Sequence, residues 1–325
     1  MAAHVTITVP ARLHLGFLDL NGGLGRRFGS IGVAISRLRT RISVRPASHI
    51  RVSGRESDRA RRYAETMHGF LGLAGACDLQ VEEVVPCHAG LGSGTQLALA
   101  VAAGMRRLHG LPLDIAGDAV RLGRGARSGV GIGLFHRGGL VVDGGRGAAT
   151  GPAPIIAHMP FPERWRILVV LDQHRQGVHG ADETSAFDRL VSAAADEAAH
   201  LCRLLVMRIL PAVAERDLPA FGSAVAELQA RTGNHFAPAQ GGHRFTSPDV
   251  AAALDVLAGD GAVGIGQSSW GPTGYAFAPS PEAANQMLEH ARRHPTCRGV
   301  DILVCRGLNG GAEIAAHAPV DAPET

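Results

Sequence analysis

Apolar and polar residues alternate in His4–Val9 ("HVTITV"), which predicts a first strand, and "ISVRPASHIRVSG" predicts a pair of strands after it. Residues 55–73 switch to helical spacing, and "DLQVEEVVP" returns to a strand that leads into a glycine-rich loop. The segment Thr95–Leu108 then reads as a helix stopped by Gly110 and Pro112. Its apolar residues cover nearly the whole circumference, so it is expected to be buried. A helix over 114–126 and a short strand in "GGLVVDGG" follow, with Asp143 read as a turn residue. Residues 145–162 are rich in Gly, Ala and Pro and mark the expected crossing between two domains, 1–160 and 161–325. Beyond it come a buried strand ("WRILVVLD") and helical stretches over 183–210 and 218–231. A strand, glycine turn and strand follow in "GAVGIGQSSWGPTGYAFAP", then a helix over Pro281–Arg293 and a last strand, "VDILVC". Strands and helices mixed without strict alternation predict an α+β protein.

Composition adds three constraints. At 325 residues with 46% hydrophobic content the chain can build a full core, and with only 4% aromatics that core must be aliphatic. All 32 basic residues are arginine, because the sequence contains no lysine. A Schiff-base lysine and a lysine-bearing P-loop are therefore excluded, and any phosphate must be held by arginine, hydroxyls, histidine or backbone N–H groups. The net charge of +3 and the scattered arginines argue against a nucleic-acid partner. The five cysteines (Cys77, Cys87, Cys202, Cys297, Cys305) lack a C-x-x-C pair and suit a reducing compartment. The N-terminus reads as a strand rather than a signal peptide, and no segment approaches ~18 apolar residues in a row. A cytoplasmic protein without a membrane partner is expected.

The chemistry is concentrated in "PCHAGLGSGTQLALAVAAG", Pro86–Gly104. Gly90, Leu91, Gly92, Ser93, Gly94 and Thr95 run into the buried helix, whose first N–H groups lack intrahelical partners and carry the positive end of the helix dipole. This is an expected phosphate or pyrophosphate site; the other reading is a glycine turn that packs a strand on a helix. Two nearby patterns carry less. His174 and His179 are spaced too loosely for structural zinc, and Cys87 beside His88 reads as a small buried thiol.

The loop resembles the P-x-x-x-G-L-G-S-S-A-A motif of the GHMP superfamily, which is named for galactokinase, homoserine kinase, mevalonate kinase and phosphomevalonate kinase. "PARLHLGFLDLNGG" (Pro10–Gly23) resembles its first motif and "GQSSWGPTGYAF" (Gly266–Phe277) its third, in the right order. The resemblance implies an N-terminal domain like ribosomal protein S5 domain 2 and a ferredoxin-like C-terminal domain. Kinases of this superfamily often carry an aspartate in a segment S-G-x-D. Here "RSGVG" places Gly131 at that position, so the usual base is missing. Gln96 also stands where the kinase loop has a small residue, and Gln267, Ser268, Ser269 and Trp270 replace small residues in the third motif.

With "HRQGVHGADETSAF" (His174–Phe187), these departures resemble the β-ribofuranosylaminobenzene 5′-phosphate synthase family. That family condenses phosphoribosyl pyrophosphate with 4-aminobenzoate (or 4-hydroxybenzoate), releases CO₂ and pyrophosphate, and begins the arene-ribose part of tetrahydromethanopterin. The resemblance implies Mg²⁺ on the leaving group and a homodimer. It implies anion contacts from the glycine loop and from Arg127 with Ser128 or from Arg175. Arg12 or Arg175 would meet the benzoate carboxylate. Gln96, His14, His174 and His179, with the Gln267–Trp270 turn, would surround the acceptor, while Asp19 and Glu183 would reach the metal. An ATP-dependent kinase with another base, and a non-catalytic binder of a phosphorylated metabolite, are the alternative readings.

Overall fold

A computed structural model describes residues 3–149, 151–175, 177 and 190–318. The first strand is longer than its alternation predicts: β1 runs over His4–Asp19 and pairs antiparallel with β2, Phe28–Ala47. The register slips at Pro10/Ala11 and again at His14/Gly16. Before the first slip Val5, Ile7 and Val9 pack into one core; after it Ala11, Leu13 and Leu15 pack into another. The extra residues at the first slip, Ser36–Leu38, lie on β2, so the odd-numbered positions of β1 stay buried from Val5 to Leu15. Consequently Arg12 and His14 are left on the side of the glycine loop.

β3 (Arg51–Gly54), α1 (Ser57–Leu71) and β4 (Ala76–Glu83) form a parallel crossover unit beside β2. α2 (Ser93–Leu108) is buried along nearly its whole length against Val5, Ile7, Ile42 and Val44, as its apolar circumference predicts. α3 (Ile115–Arg121) follows. α4 (Val130–Arg137) is not visible in the residue pattern, since Gly131 and Gly133 are poor helix formers. Those glycines are required by packing: a Cβ on Gly133 would lie 2.6 Å from the Ile155 side chain. β5 (Leu140–Asp143) and β6 (Ile155–Met159) extend the same sheet. β6 lies inside the Gly/Ala/Pro-rich stretch that composition marks as a crossing.

The second half is a four-stranded antiparallel sheet in the order β10-β7-β9-β8 among the described residues. Its strands are β7 (Arg166–Asp172), β8 (Val263–Gln267), β9 (Gly274–Ala278) and β10 (Val300–Cys305). This 4-1-3-2 order is the ferredoxin-like arrangement. Its outer face packs against α8 (Pro248–Gly259) and α9 (Pro281–Arg293). Its inner face, with Ile167, Val169, Tyr275 and Phe277, meets β1 and β2 across the helices between β7 and α8. Those are α5 (Ala195–Leu204), a π-helical turn (Leu205–Ile209), α6 (Leu210–Glu215) and α7 (Leu218–Phe236). The last strand, β11 (Glu313–His317), returns to pair with β1. No described helix is long and apolar enough to cross a membrane.

Candidate active site

Three sequence motifs converge on one carbonyl, that of Gly90. Arg12 Nη1 donates to it at 2.7 Å and Ser268 Oγ donates at 2.8 Å. The His14 N–H donates in turn to Ser268 Oγ at 3.0 Å, and the Arg12 N–H donates to Leu91 O at 3.1 Å. Gly90 has φ +80°, and a Cβ there would sit 2.1 Å from Ser268 O. Only glycine supports that approach. A Cβ on Gly92, also at φ +80°, would meet Arg12 Cγ at 2.8 Å. The glycine loop therefore serves both readings: it packs strand, turn and helix together, and it leaves the N-terminus of α2 open.

That N-terminus faces a cleft of about 570 Å³. Arg12, Arg59, Arg124 and Arg127 line it, and no acidic side chain does among the described residues. Arg124 lies over the first turn of α2, its Nη1 3.0 Å from where a Cβ on Gly94 would stand. Arg59 is paired with Glu56 at 3.3 Å. Ser93 and Thr95 add hydroxyls to the lining, and Ser128 sits at the opposite lip. Behind Ser128, buried Asp143 accepts from Ser30 Oγ (2.5 Å), Ser128 Oγ (3.2 Å), the Gly129 N–H (2.9 Å) and, through its other oxygen, the Gly145 N–H (2.9 Å). Burial raises the Asp143 pKa despite these hydrogen bonds. Asp143 thus fixes one lip of the cleft besides closing its turn.

Other predicted residues are placed elsewhere. Leu91 is buried in the inter-domain core. Gln96 is buried at the base of the loop, where its Nε2 donates to Gly131 O at 3.2 Å. Gln267 is engaged with Thr246, Gln240 and the Ser269 carbonyl. Ser269, held at φ +57°, and Trp270 form the inner wall of the cleft. Asp19 Oδ1 accepts from the N–H groups of Asn21 and Gly22, each at 2.8 Å. His174 and Arg175 are exposed past the end of β7, outside the cleft lining, and their N–H groups cap Asp172 Oδ1 at 2.7 and 2.9 Å. Burial raises the Asp172 pKa, but the Ser247 hydroxyl and these N–H groups outweigh it and lower the net value. Gly177 reaches the glycine loop, its N–H donating to His88 O at 2.8 Å. His179 and Glu183 lie outside the described residues.

His14 is 2% exposed, and its Nε2 has no hydrogen-bond partner among the described residues. Burial, reinforced by the Arg12 charge, holds its pKa well below the usual histidine value, so the ring is neutral at physiological pH. Cys87 is half-buried rather than fully buried, and desolvation raises its pKa; Cys77 is pushed up to about 11 and Cys305 to about 12. None of these thiols is an activated nucleophile.

The family description "GHMP kinases N terminal domain" matches residues 58–135, and "GHMP kinases C terminal" matches 209–296. A β-ribofuranosylphenol 5′-phosphate synthase of Archaeoglobus fulgidus is 32% identical, over 95% of this chain and 98% of that protein. The synthase of the same name from Methanothermobacter thermautotrophicus is 30% identical over 85% and 89%. The chain belongs to the β-ribofuranosylphenol 5′-phosphate synthase family of the GHMP superfamily. Members of this family are pentosyltransferase-type enzymes, and so is this chain. Solved structures agree on the fold. Homoserine kinase from Cytophaga hutchinsonii superimposes with a TM-score of 0.69 at 16% identity, over 97% of this chain and 98% of that one. Mevalonate diphosphate decarboxylase from Staphylococcus aureus gives 0.66 at 13% identity, over 97% and 98%.

Sequence reasoning overlooked Arg59, Arg124 and the supporting role of Asp143. Arg124 had a visible signal, an arginine between two glycines just ahead of the "RSGVG" segment. Arg59 had none, because only tertiary packing carries α1 to the loop.

Proposed function

We propose that this synthase-family chain transfers the 5-phosphoribosyl group of phosphoribosyl pyrophosphate to the carboxyl-bearing carbon of a 4-substituted benzoate, with loss of CO₂ and pyrophosphate. The observation that carries this reading is the cleft itself. Four arginines and a helix N-terminus suit a ligand with two phosphate-bearing ends, and among the described residues no carboxylate lines the cleft to take a proton from an acceptor hydroxyl. Gly131, the position of the kinase aspartate, offers only its carbonyl to Gln96, and a Cβ there would already press on Thr95 Cγ2 at 3.2 Å. Decarboxylative transfer needs no such base, because CO₂ rather than a proton leaves the ring carbon. Holding the diphosphate and orienting the ring would supply most of the acceleration.

The name of the relatives specifies a phenol product, which favours 4-hydroxybenzoate over the aminobenzoate that the sequence resemblance puts first. A magnesium ion held by the protein does not fit the described residues. Asp19 uses one oxygen to close its turn, and no cluster of three His, Cys, Asp or Glu side chains is present among them. A cytoplasmic homodimer acting in one-carbon-carrier synthesis completes the proposal.

The test is CO₂ release from carboxyl-labelled 4-hydroxybenzoate and 4-aminobenzoate, with phosphoribosyl pyrophosphate and Mg²⁺ each omitted in turn. Release that requires both organic substrates supports the transfer. No release from either acid, with ATP turned over instead, overturns it.

A further inference from the structure

Behind the cleft lies a recess of about 20 Å³ lined by His14, Phe17, Phe236, Arg244, Gln267 and Trp270. That is room for about one or two water-sized groups. It opens on the cleft across His14, Phe17 and Trp270, which line both spaces. Its glutamines are committed to neighbours. Gln240 Oε1 accepts from Thr246 Oγ1 and Gln267 Nε2, Gln267 Oε1 accepts from Thr246, and Gln229 bridges Leu15 O and the Gln267 N–H. Among the described residues the buried His14 Nε2 has no hydrogen-bond partner, and the exposed Arg244 lines the same recess. Arg244 reaches the recess across Gly233, where a Cβ would meet its Cγ and Nε at 3.6 Å. The site therefore offers a charged donor and, at its mouth, a neutral imidazole, in a slot the size of one or two water molecules.

We propose that the recess holds the 4-oxygen of the acceptor as a phenolate, with Arg244 as its counter-charge, and that this selects a hydroxybenzoate over an aminobenzoate. The inference rests on the decarboxylative transfer proposed above. The ring lies in the cleft beside the wall it shares with the recess, its 4-oxygen in the recess and its carboxyl-bearing carbon turned to the ribosyl donor. The phenol proton leaves to solvent past the exposed Arg244. His14, in the tautomer with hydrogen on Nε2, donates the second hydrogen bond.

The electron pair of the phenolate then moves into the ring as the carbon–carbon bond to the ribose forms. The ribose C–O bond breaks with its electrons on the pyrophosphate. The intermediate is a dienone, uncharged at its ring oxygen, that still carries the carboxylate; loss of CO₂ returns the carboxyl bond's electrons to the ring and regenerates the phenolate. With an amine in the same place, attack would build a positive iminium beside a guanidinium, which is electrostatically unfavourable. His14 and Arg244 are the ionisable side chains lining the recess. The pH response of the bound phenol is therefore set by those two groups together with the Arg12 charge that acts on His14.

The test compares the full chain with its Arg244→Gln and Arg244→Lys variants. At neutral pH, without donor, 4-hydroxybenzoate bound to the unaltered chain is expected to show the red-shifted phenolate absorption. Arg244→Gln should abolish that band and lower kcat/KM for hydroxybenzoate relative to aminobenzoate by about tenfold, the equivalent of one pKa unit. Arg244→Lys should restore much of both. An unchanged band or an unchanged ratio in Arg244→Gln overturns the proposal and leaves ribosyl transfer standing, as does turnover of aminobenzoate alone by the unaltered chain. Failure to turn over either acid overturns both readings.

Discussion

In the outer cleft, four arginines and the N-terminus of α2 surround about 570 Å³; in the inner recess, one arginine and one buried histidine close about 20 Å³ among aromatic rings. The two spaces share a wall, but they place opposite demands on the chain. The cleft must stabilise several negative charges that remain solvated in part, so it uses arginines and backbone N–H groups held in a fixed loop. The recess must discriminate one small group from another, so it uses exclusion of water, a tight volume and few polar atoms. On the function proposed above, affinity is located mainly in the first and choice of acceptor in the second. Substitutions that affect only one of the spaces separate these tasks.

The largest effect is expected from Gly90→Ala. The new methyl would meet Ser268 O at 2.1 Å in a backbone at φ +80°, and both spaces depend on that junction. A loss of about 3 kcal/mol or more is expected from left-handed strain together with the clash, read as a lower urea midpoint. Donor binding and acceptor selectivity should fail together. Gly94→Ala sharpens the comparison, because its methyl would touch only the flexible end of Arg124. Stability should hold or rise slightly, since alanine is the better helix former. Donor affinity should fall while the ratio of the two acceptors stays constant. Next in size, Arg124→Ala should weaken phosphoribosyl pyrophosphate binding by about ten- to a hundredfold in calorimetry, in line with loss of a charge-assisted hydrogen bond. Added salt should narrow the difference from the unaltered chain. If the acceptor ratio shifts as strongly as donor affinity, the two spaces do not divide the work.

The cleft was far more legible in the sequence than the recess, for a physical reason. A helix N-terminus is local: Gly90, Gly92, Ser93 and the apolar run behind them occupy consecutive positions, so both the loop and the buried α2 could be read directly. Strand β1 was only half visible, because beyond Val9 residues between its buried odd positions, such as Pro10, His14 and Gly16, are buried too, which hides the alternation that identifies a strand. α4 was hidden by glycines that packing requires and helix propensity disfavours. The recess draws on β1, α7, the segment before α8 and the β8–β9 turn, so no stretch of sequence contains it. His14 and Trp270 were recognisable through their motifs, whereas Gln229, Thr232 and Arg244 were not. Gln96 stands out by its unusual position in the motif, but that position does not show that its amide Nε2 links α2 to α4.

The smallest effect tests whether His14 belongs to the recess as a neutral group. Its folded-state pKa is depressed, first by burial and then by the Arg12 charge. A base with a depressed folded pKa contributes stability that is fully present above its unfolded value of about 6.5 and is lost as pH falls below it, because the unfolded chain then binds the proton more readily. Each unit of pH below that point should therefore cost up to about 1.4 kcal/mol through His14 alone, until the folded-state pKa is reached. His4, His109 and His235 also have lowered values, so the absolute slope belongs to several groups. The difference between the unaltered chain and His14→Phe isolates one of them. The planar replacement keeps the ring contact with Phe17, now 4.6 Å between centroids. Urea unfolding at a series of pH values should give His14→Phe the shallower loss of stability on the acid side. Parallel curves would mean that the ring protonates in place, and the Nε2 at the mouth of the recess would then be a cation rather than a neutral donor.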